Sequence, residues 1–241
     1  MLNVDAVFVV HVTKDLEREA WMQKQLEGLG ISFRWMLEAD LEDLSLDDIR
    51  RYFSGTEMDG PPRAAHSCAL KHLFIYRTMV DEGLERVLVL EDDAILSPRF
   101  ADLFNRMVEE WAALPGAERN MALINLENSL QVWVPRRRRK KNQRIYSMPK
   151  GRAAGAYFIS LPLAKAIWEH TLEQGCHRPI DWYHNDLSAE IGLKHYWTHP
   201  TAVEQGSHNG TWKSKIDKKP AGWFRRVTWQ VQLRIKSLFA P

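Results

Sequence analysis

A run of four apolar residues, Val87 to Leu90, ends without transition in three carboxylates, Glu91, Asp92 and Asp93. An uninterrupted apolar run of that length describes a strand buried on both faces, and such strands lie inside sheets that helices cover on each side. The rest of the chain supplies both kinds of element. Ala6 to Val12 (AVFVVHV) is a buried strand, after which Leu16, Ala20, Met22, Leu26 and Leu29 recur at helical spacing until Gly28 and Gly30 stop the pattern. Ile31 to Leu37 follows as a strand, then an acidic loop and a short helix capped by Ser45 and Asp48. An unbroken helical pattern covers Ala64 to Glu82 and ends at Gly83. Ser97 with Pro98 opens a helix through Ala113, and Ser160 with Pro162 opens another to Gln174. Met121 to Leu126 and Ala156 to Ser160 are further strands, whereas Glu127 to Arg152 loses periodicity and reads as a mobile loop. The alternation predicts an α/β fold: a Rossmann-type, mostly parallel sheet flanked by helices, with ligands at the carboxyl ends of its strands.

A chain of 241 residues with 45% hydrophobic composition can bury one large core. One domain over residues 1–210 is expected, followed by a basic aromatic tail, 211–241. In that tail Trp223, Phe224, Val227 and Val231 fall near one helical face, a stripe that suits a peripheral membrane helix or a helix packed on the domain. The formal net charge of +2 conceals an acidic first sixty residues and two basic segments, Arg136 to Lys141 and the stretch after Lys213. Local positive charge points to anionic partners. Cys68 and Cys176 form no CxxC pair and no Cys/His cluster in sequence, so neither a disulfide framework nor a zinc site is expected, and reduced thiols fit a cytoplasmic protein. Ala6 to Val12 is too short to span a membrane or to serve as a signal sequence.

Three consecutive acids repel one another unless they are solvated, protonated or neutralised by a cation. Oxygen ligands of this kind suit Mn²⁺ or Mg²⁺, which are commonly held by one or two carboxylates together with phosphate oxygens of a ligand. The competing reading is a solvated strand-to-loop turn.

The segment Ser67 to Asp93 resembles glycosyltransferase family 25, the lipopolysaccharide and lipooligosaccharide galactosyltransferase family. The elements that carry the resemblance are DLER (Asp15 to Arg18), SCALKH (Ser67 to His72) and EGLERVLVLEDDAILSP (Glu82 to Pro98), then GRAAGAYFIS (Gly151 to Ser160), PIDW (Pro179 to Trp182) and the elements from His199 to Ser207. The resemblance implies a GT-A-type fold, a UDP-sugar donor, most often UDP-galactose, a divalent cation and inversion at the anomeric carbon. On that analogy Asp93, with Asp92 and Glu91, binds cation and diphosphate, the ligating pair being left open, and Arg18, His72, Gln205 and Ser207 fall to the donor; by their own placement His208 joins Asp93 and Asp92 as a candidate metal ligand and Gly155 joins the donor contacts. The implied acceptor is a lipopolysaccharide-type or lipid-linked glycan at the inner face of the cytoplasmic membrane. Two departures stand out: His11 and Val12 replace the family's usual Asn-Leu, and GPPRAAHSCALKH, with Arg63 and His66, replaces its Gly-Glu-Ile-Gly-Cys entry.

Inverting transfer needs a base for the acceptor hydroxyl. Asp181 is the candidate, its rival role being a helix-start carboxylate; Asp186 and Glu127 are the alternatives. His72 shares a helix face with Ala65, Ala69 and Tyr76 and so reads equally as a core histidine. His199 and His208 read as loop histidines or cation ligands. Gly151 and Gly155 would let the backbone approach a sugar or diphosphate closely. A different class remains open: a non-catalytic basic module for nucleic acid or anionic glycan. The absence of a nucleic-acid motif makes nucleic acid an unexpected partner.

Overall fold

The computed structural model describes residues 1–128, 133–209, 211 and 212. In chain order its elements are β1 (Ala6–Val10), α1 (Leu16–Gly28), β2 (Arg34–Met36), α2 (Leu46–Tyr52), α3 (Ala64–Glu82), β3 (Arg86–Glu91), β4 (Ala94–Leu96) and α4 (Phe100–Ala112). They continue as α5 (Gly116–Asn120), β5 (Ala122–Asn125), β6 (Ile145–Met148), β7 (Ala156–Ser160), α6 (Leu161–Gln174), α7 (Ile180–Glu190), β8 (Lys194–Thr198), β9 (Val203–Gln205) and α8 (Gly206–Asn209). Seven strands form one sheet in the order β2-β1-β3-β7-β5-β8-β6, and β4 pairs with β9 apart from it. Strands β1, β2, β3, β5 and β8 share a direction, whereas β7 runs against β3 and β5, and β6 runs against β8. The α/β class is therefore the one the alternation predicts, with two reversed strands in a mostly parallel sheet.

Strand β3 shows why an all-apolar run was required. Val87 and Val89 pack into one core with α3, α6 and α7, while Leu88 and Leu90 pack into a second core with α1 and α4. Successive side chains leave opposite faces of a strand, so both faces must be apolar when both are covered. α4 meets the second core through Phe100, Leu103, Phe104, Met107, Val108 and Trp111, an i, i+3, i+4 stripe. It starts after the Ser97–Pro98 signal, and the Ser97 hydroxyl accepts from the Arg99 backbone N–H at 3.2 Å. Ser160 does not cap α6 with its side chain, although the proline-bearing first turn is present. By contrast the Ser45–Asp48 capping box forms in full.

The segment 127–152 is not wholly irregular. β6 closes the sheet edge against β8, with register Ile145↔Thr198 to Met148↔His195. The basic run itself holds a single short 3-10 turn, Arg136–Arg138. The tail helix expected beyond residue 212 lies outside the described residues.

α3 also fixes the loop that follows β2. Ala39 has φ 71°, a left-handed conformation that L-residues adopt at a cost. Ser67 donates to Ala39 O at 2.7 Å, and the buried Lys71 ammonium reaches Leu37 O at 2.7 Å, Glu38 O at 3.1 Å and Asp40 Oδ1 at 3.0 Å. Removing one partner of a buried ion pair strands the other, so Lys71→Met is expected to destabilise the fold by roughly 3–5 kcal/mol. The check is a urea titration in which the midpoint falls while the slope stays constant.

Candidate active site

A cavity of about 650 Å³ opens where β1 and β3 end, between the N-terminal turns of α3 and α7. Its walls include Glu91, Asp92, Asp93, Asp181, Gln205 and Ser207. Strand ends are where α/β sheets present ligand sites, because the chain turns there and leaves a crevice.

The three acids occupy three different environments. Asp92 is buried and has both oxygens engaged: His11 Nδ1 lies 2.8 Å from Oδ2, and Arg18 Nη1 donates to Oδ1 at 2.6 Å. Burial alone would raise its pKa, but the His11 hydrogen bond and the Arg18 charge outweigh burial and hold the carboxyl below its ordinary range. Asp93 is also buried, and its Oδ2 accepts the Ser207 backbone N–H at 2.9 Å. Its Oδ1 has no hydrogen-bond partner. Burial first, then the Glu91 charge, pushes Asp93 up to about 6 despite the Ser207 N–H and Arg18. Glu91 is half-buried; its Oε2 accepts from Gln205 Nε2 at 3.1 Å, and its Oε1 turns toward α3.

Pairing of β4 with β9 delivers Gln205 and Ser207. Ala94 sits opposite Gln205, and the Gly206 N–H donates to Asp93 O at 2.8 Å. A Cβ at Gly206 would stand 2.8 Å from that same carbonyl, so glycine is required there. Arg18, Gln205 and Ser207 thus all fall at the acids. Asp181 opens α7, lines the cavity, and has its pKa raised chiefly by burial and also by the Glu91 charge.

Other candidates fall elsewhere. Asp186 pairs with Arg178 at 3.2 Å and His177 at 3.2 Å and does not line the cavity. Glu127 is fully buried with neither carboxyl oxygen hydrogen-bonded. Burial, reinforced by Glu91 and opposed by Arg152, raises its pKa well above the ordinary range. Gly155 is small for a reason the sequence did not reveal: an added Cβ would lie 2.5 Å from Glu127 Oε2 and 3.2 Å from the Gln205 amide. A buried carboxylate approaches that backbone. Gly151 likewise faces His195. His199 is outside the cavity lining, and burial pushes its pKa down to about 4. His208 belongs to α8, but its side chain lies outside the described residues.

His72 is a core histidine whose ring is turned toward Glu91. It is completely buried, bonds Tyr157 Oη through Nδ1 at 2.8 Å, and points Nε2 at Glu91 Oε1 from 3.6 Å. Two residues escaped the sequence reading. His11 became a partner of Asp92 only once β1 and β3 were paired. Cys68, set aside as an isolated thiol, stands with His72 and Glu91 in a group whose ligand atoms lie within 4.8 Å of one another. The Cys-x3-His spacing was the available signal.

Fold and site together define an α/β protein with its ligand cleft at the carboxyl ends of the strands. The chain belongs to glycosyltransferase family 25 (LPS biosynthesis protein), whose pattern matches residues 4–182. Among curated proteins it is 29% identical over 120 residues to the human inactive glycosyltransferase 25 family member 3, covering 45% of this chain and 20% of that protein. A Drosophila melanogaster glycosyltransferase 25 family member is 29% identical over 107 residues, covering 41% of this chain and 18% of the relative. The matched segment therefore spans about a fifth of these relatives. A solved glycosyltransferase involved in glycosylation of the major capsid of PBCV-1 matches with TM-score 0.43 and 11% identity over 83% of this chain and 91% of that one.

Proposed function

We propose that the chain transfers a hexose, galactose from UDP-galactose in the simplest case, to a lipopolysaccharide- or lipooligosaccharide-type acceptor with inversion of configuration. The observation that carries this reading is Asp93: a buried carboxylate with one oxygen lacking any partner, in the wall of a cavity of ligand size. An orphaned buried oxygen beside a second carboxylate fits a hard divalent cation. Asp93 would hold Mn²⁺ or Mg²⁺ directly, while Asp92, already committed to His11 and Arg18, orients Arg18 toward the donor's diphosphate. The cation, when bound, neutralises charge on the departing nucleoside diphosphate. Asp181 takes the proton from the acceptor hydroxyl, and its raised pKa makes it a better proton acceptor than an ordinary surface carboxylate.

The acceptor assignment rests on the family and on the basic run Arg136 to Lys141, exposed but for the half-buried Arg139, which would attract a phosphorylated glycan by long-range charge. Among the described residues no helix is long and apolar enough to cross a membrane. A cytoplasmic protein touching the inner leaflet through residues 211–241 completes the reading.

UDP-galactose with Mn²⁺ is expected to raise the melting temperature; at 100 times its Kd a ligand adds about 2.7 kcal/mol to the native state. No shift with any UDP-sugar, with or without Mn²⁺, would reject the donor assignment. A relative whose name calls it inactive motivates a second reading, binding without turnover. That outcome would appear as the same thermal shift with no donor hydrolysis and no transfer.

A further inference from the structure

We propose that Cys68, His72 and Glu91 form a second cation site, selective for a thiolate-binding ion of the zinc class and separate from the hard-cation position at Asp93. Cys68 and His72 are four residues apart on α3, a spacing that stacks two side chains on one helix face. β3 carries Glu91 to that face. Cys68 Sγ is 3.9 Å and His72 Nε2 is 3.6 Å from Glu91 Oε1. A tetrahedral zinc ion with bonds of about 2.0–2.3 Å separates its ligands by roughly 3.3–3.8 Å, so the three atoms, all within 4.8 Å of one another, need only draw together to enclose one.

A second observation is independent of that spacing. His72 is completely buried, yet its Nε2 makes no hydrogen bond. An unpaired buried ring nitrogen is costly unless something else meets it. The opposite nitrogen is held in the manner of a metal-binding histidine: Nδ1 lies 2.8 Å from Tyr157 Oη, which is 2.6 Å from Tyr76 Oη, which is 2.8 Å from His184 Nε2. The chain can run in either direction, and the one in which His72 Nδ1–H donates to Tyr157, Tyr157 to Tyr76 and Tyr76 to His184 leaves a lone pair on Nε2 for an ion. Outer hydrogen bonds of this type fix tautomer and ring orientation in zinc sites.

Cys68 and Glu91 both line the cavity, so the ion has an entry path and a fourth position open to ligand. Sulfur and imidazole select zinc-class ions, whereas the carboxylate of Asp93 suits Mn²⁺ or Mg²⁺. Glu91 sits between the two positions, with Oε1 toward Cys68 and Oε2 toward Gln205.

The test is a Co²⁺ titration of the metal-stripped full chain, followed by competition with Zn²⁺. One equivalent is expected to develop a thiolate-to-cobalt charge-transfer band with the intense visible bands of four-coordinate cobalt, and Zn²⁺ should displace both. Cys68→Ser is expected to abolish the charge-transfer band and weaken Zn²⁺ binding roughly 100-fold. Tyr157→Phe should keep the band and weaken binding about tenfold. Cys176→Ser should change neither, because that thiol is buried against Arg178 O. Thermal melts of each apo variant separate loss of a ligand from loss of fold. No thiolate band in the wild-type chain, or a band that survives Cys68→Ser, overturns the site. Because no nucleotide enters this experiment, its failure is distinguishable from failure of the transferase reading, which the UDP-sugar shift decides.

Discussion

Asp93→Asn is expected to lower transfer at least roughly 100-fold, as loss of a group that stabilises leaving-group charge does, while making the metal-free chain more stable at neutral pH. The second half follows from linkage. Asp93 titrates near 6 in the fold against an ordinary 3.8, so between these values the native state binds the extra proton and stability declines as pH rises. The penalty is absent below pH 3.8 and complete above about 6, where the two-unit displacement amounts to roughly 3 kcal/mol. Asparagine keeps an oxygen for the Ser207 N–H and removes the charge. Chemical denaturation of the apo protein at pH 7 and pH 4.5 checks this: the variant should exceed the wild type at pH 7, with the gap narrowing at pH 4.5. A variant that is less stable at pH 7 would show that the Ser207 N–H and Arg18 stabilise the ionised acid by more than burial penalises it.

Asp181→Asn is expected to reduce kcat by a factor on the order of 100 to 10,000 while leaving the affinity for UDP-sugar close to that of the wild type. Loss of a base acts on the proton transfer and not on the donor's diphosphate, so kcat falls and the thermal shift with donor persists. The two variants therefore separate. Asp93→Asn should lose the Mn²⁺-dependent shift, and Asp181→Asn should keep it. Near-normal turnover in Asp181→Asn would show that another group takes the proton.

The parts of the fold that were legible were those in which local chemistry and tertiary burial agree. α3 spans the residues its spacing predicts, since Ala69, Leu73 and Tyr76 face a core and Gly83, with φ 70°, supplies a left-handed stop. β7 likewise matches, because all five of its residues are buried. β6 was hidden: it is an edge strand of four residues, half of them buried, directly after a basic run that reads as solvated loop. Ile31 to Leu37 was read as a longer strand than Arg34–Met36, because Ile31 and Phe33 join the second core without entering the ladder. In the site, carboxylates adjacent in sequence were easy to find. What distinguishes them was not, since Asp92's partners lie 74 and 81 residues away and Glu127 meets Gly155 only through the β5–β7 pairing.

The Asp93 cradle is made by Gly206 and Ser207, whereas the strand that carries the acid ends more than a hundred residues earlier. Domains begin to organise from the N-terminal side during synthesis. A nascent chain that has already formed β1, α3 and β3 would still have a half-open cleft, with Asp93 facing water as an ordinary ionised acid. The arrival of β9 and α8 brings the Ser207 N–H to that carboxyl, so the pocket gains its full chemistry only once residues far along the chain have been made.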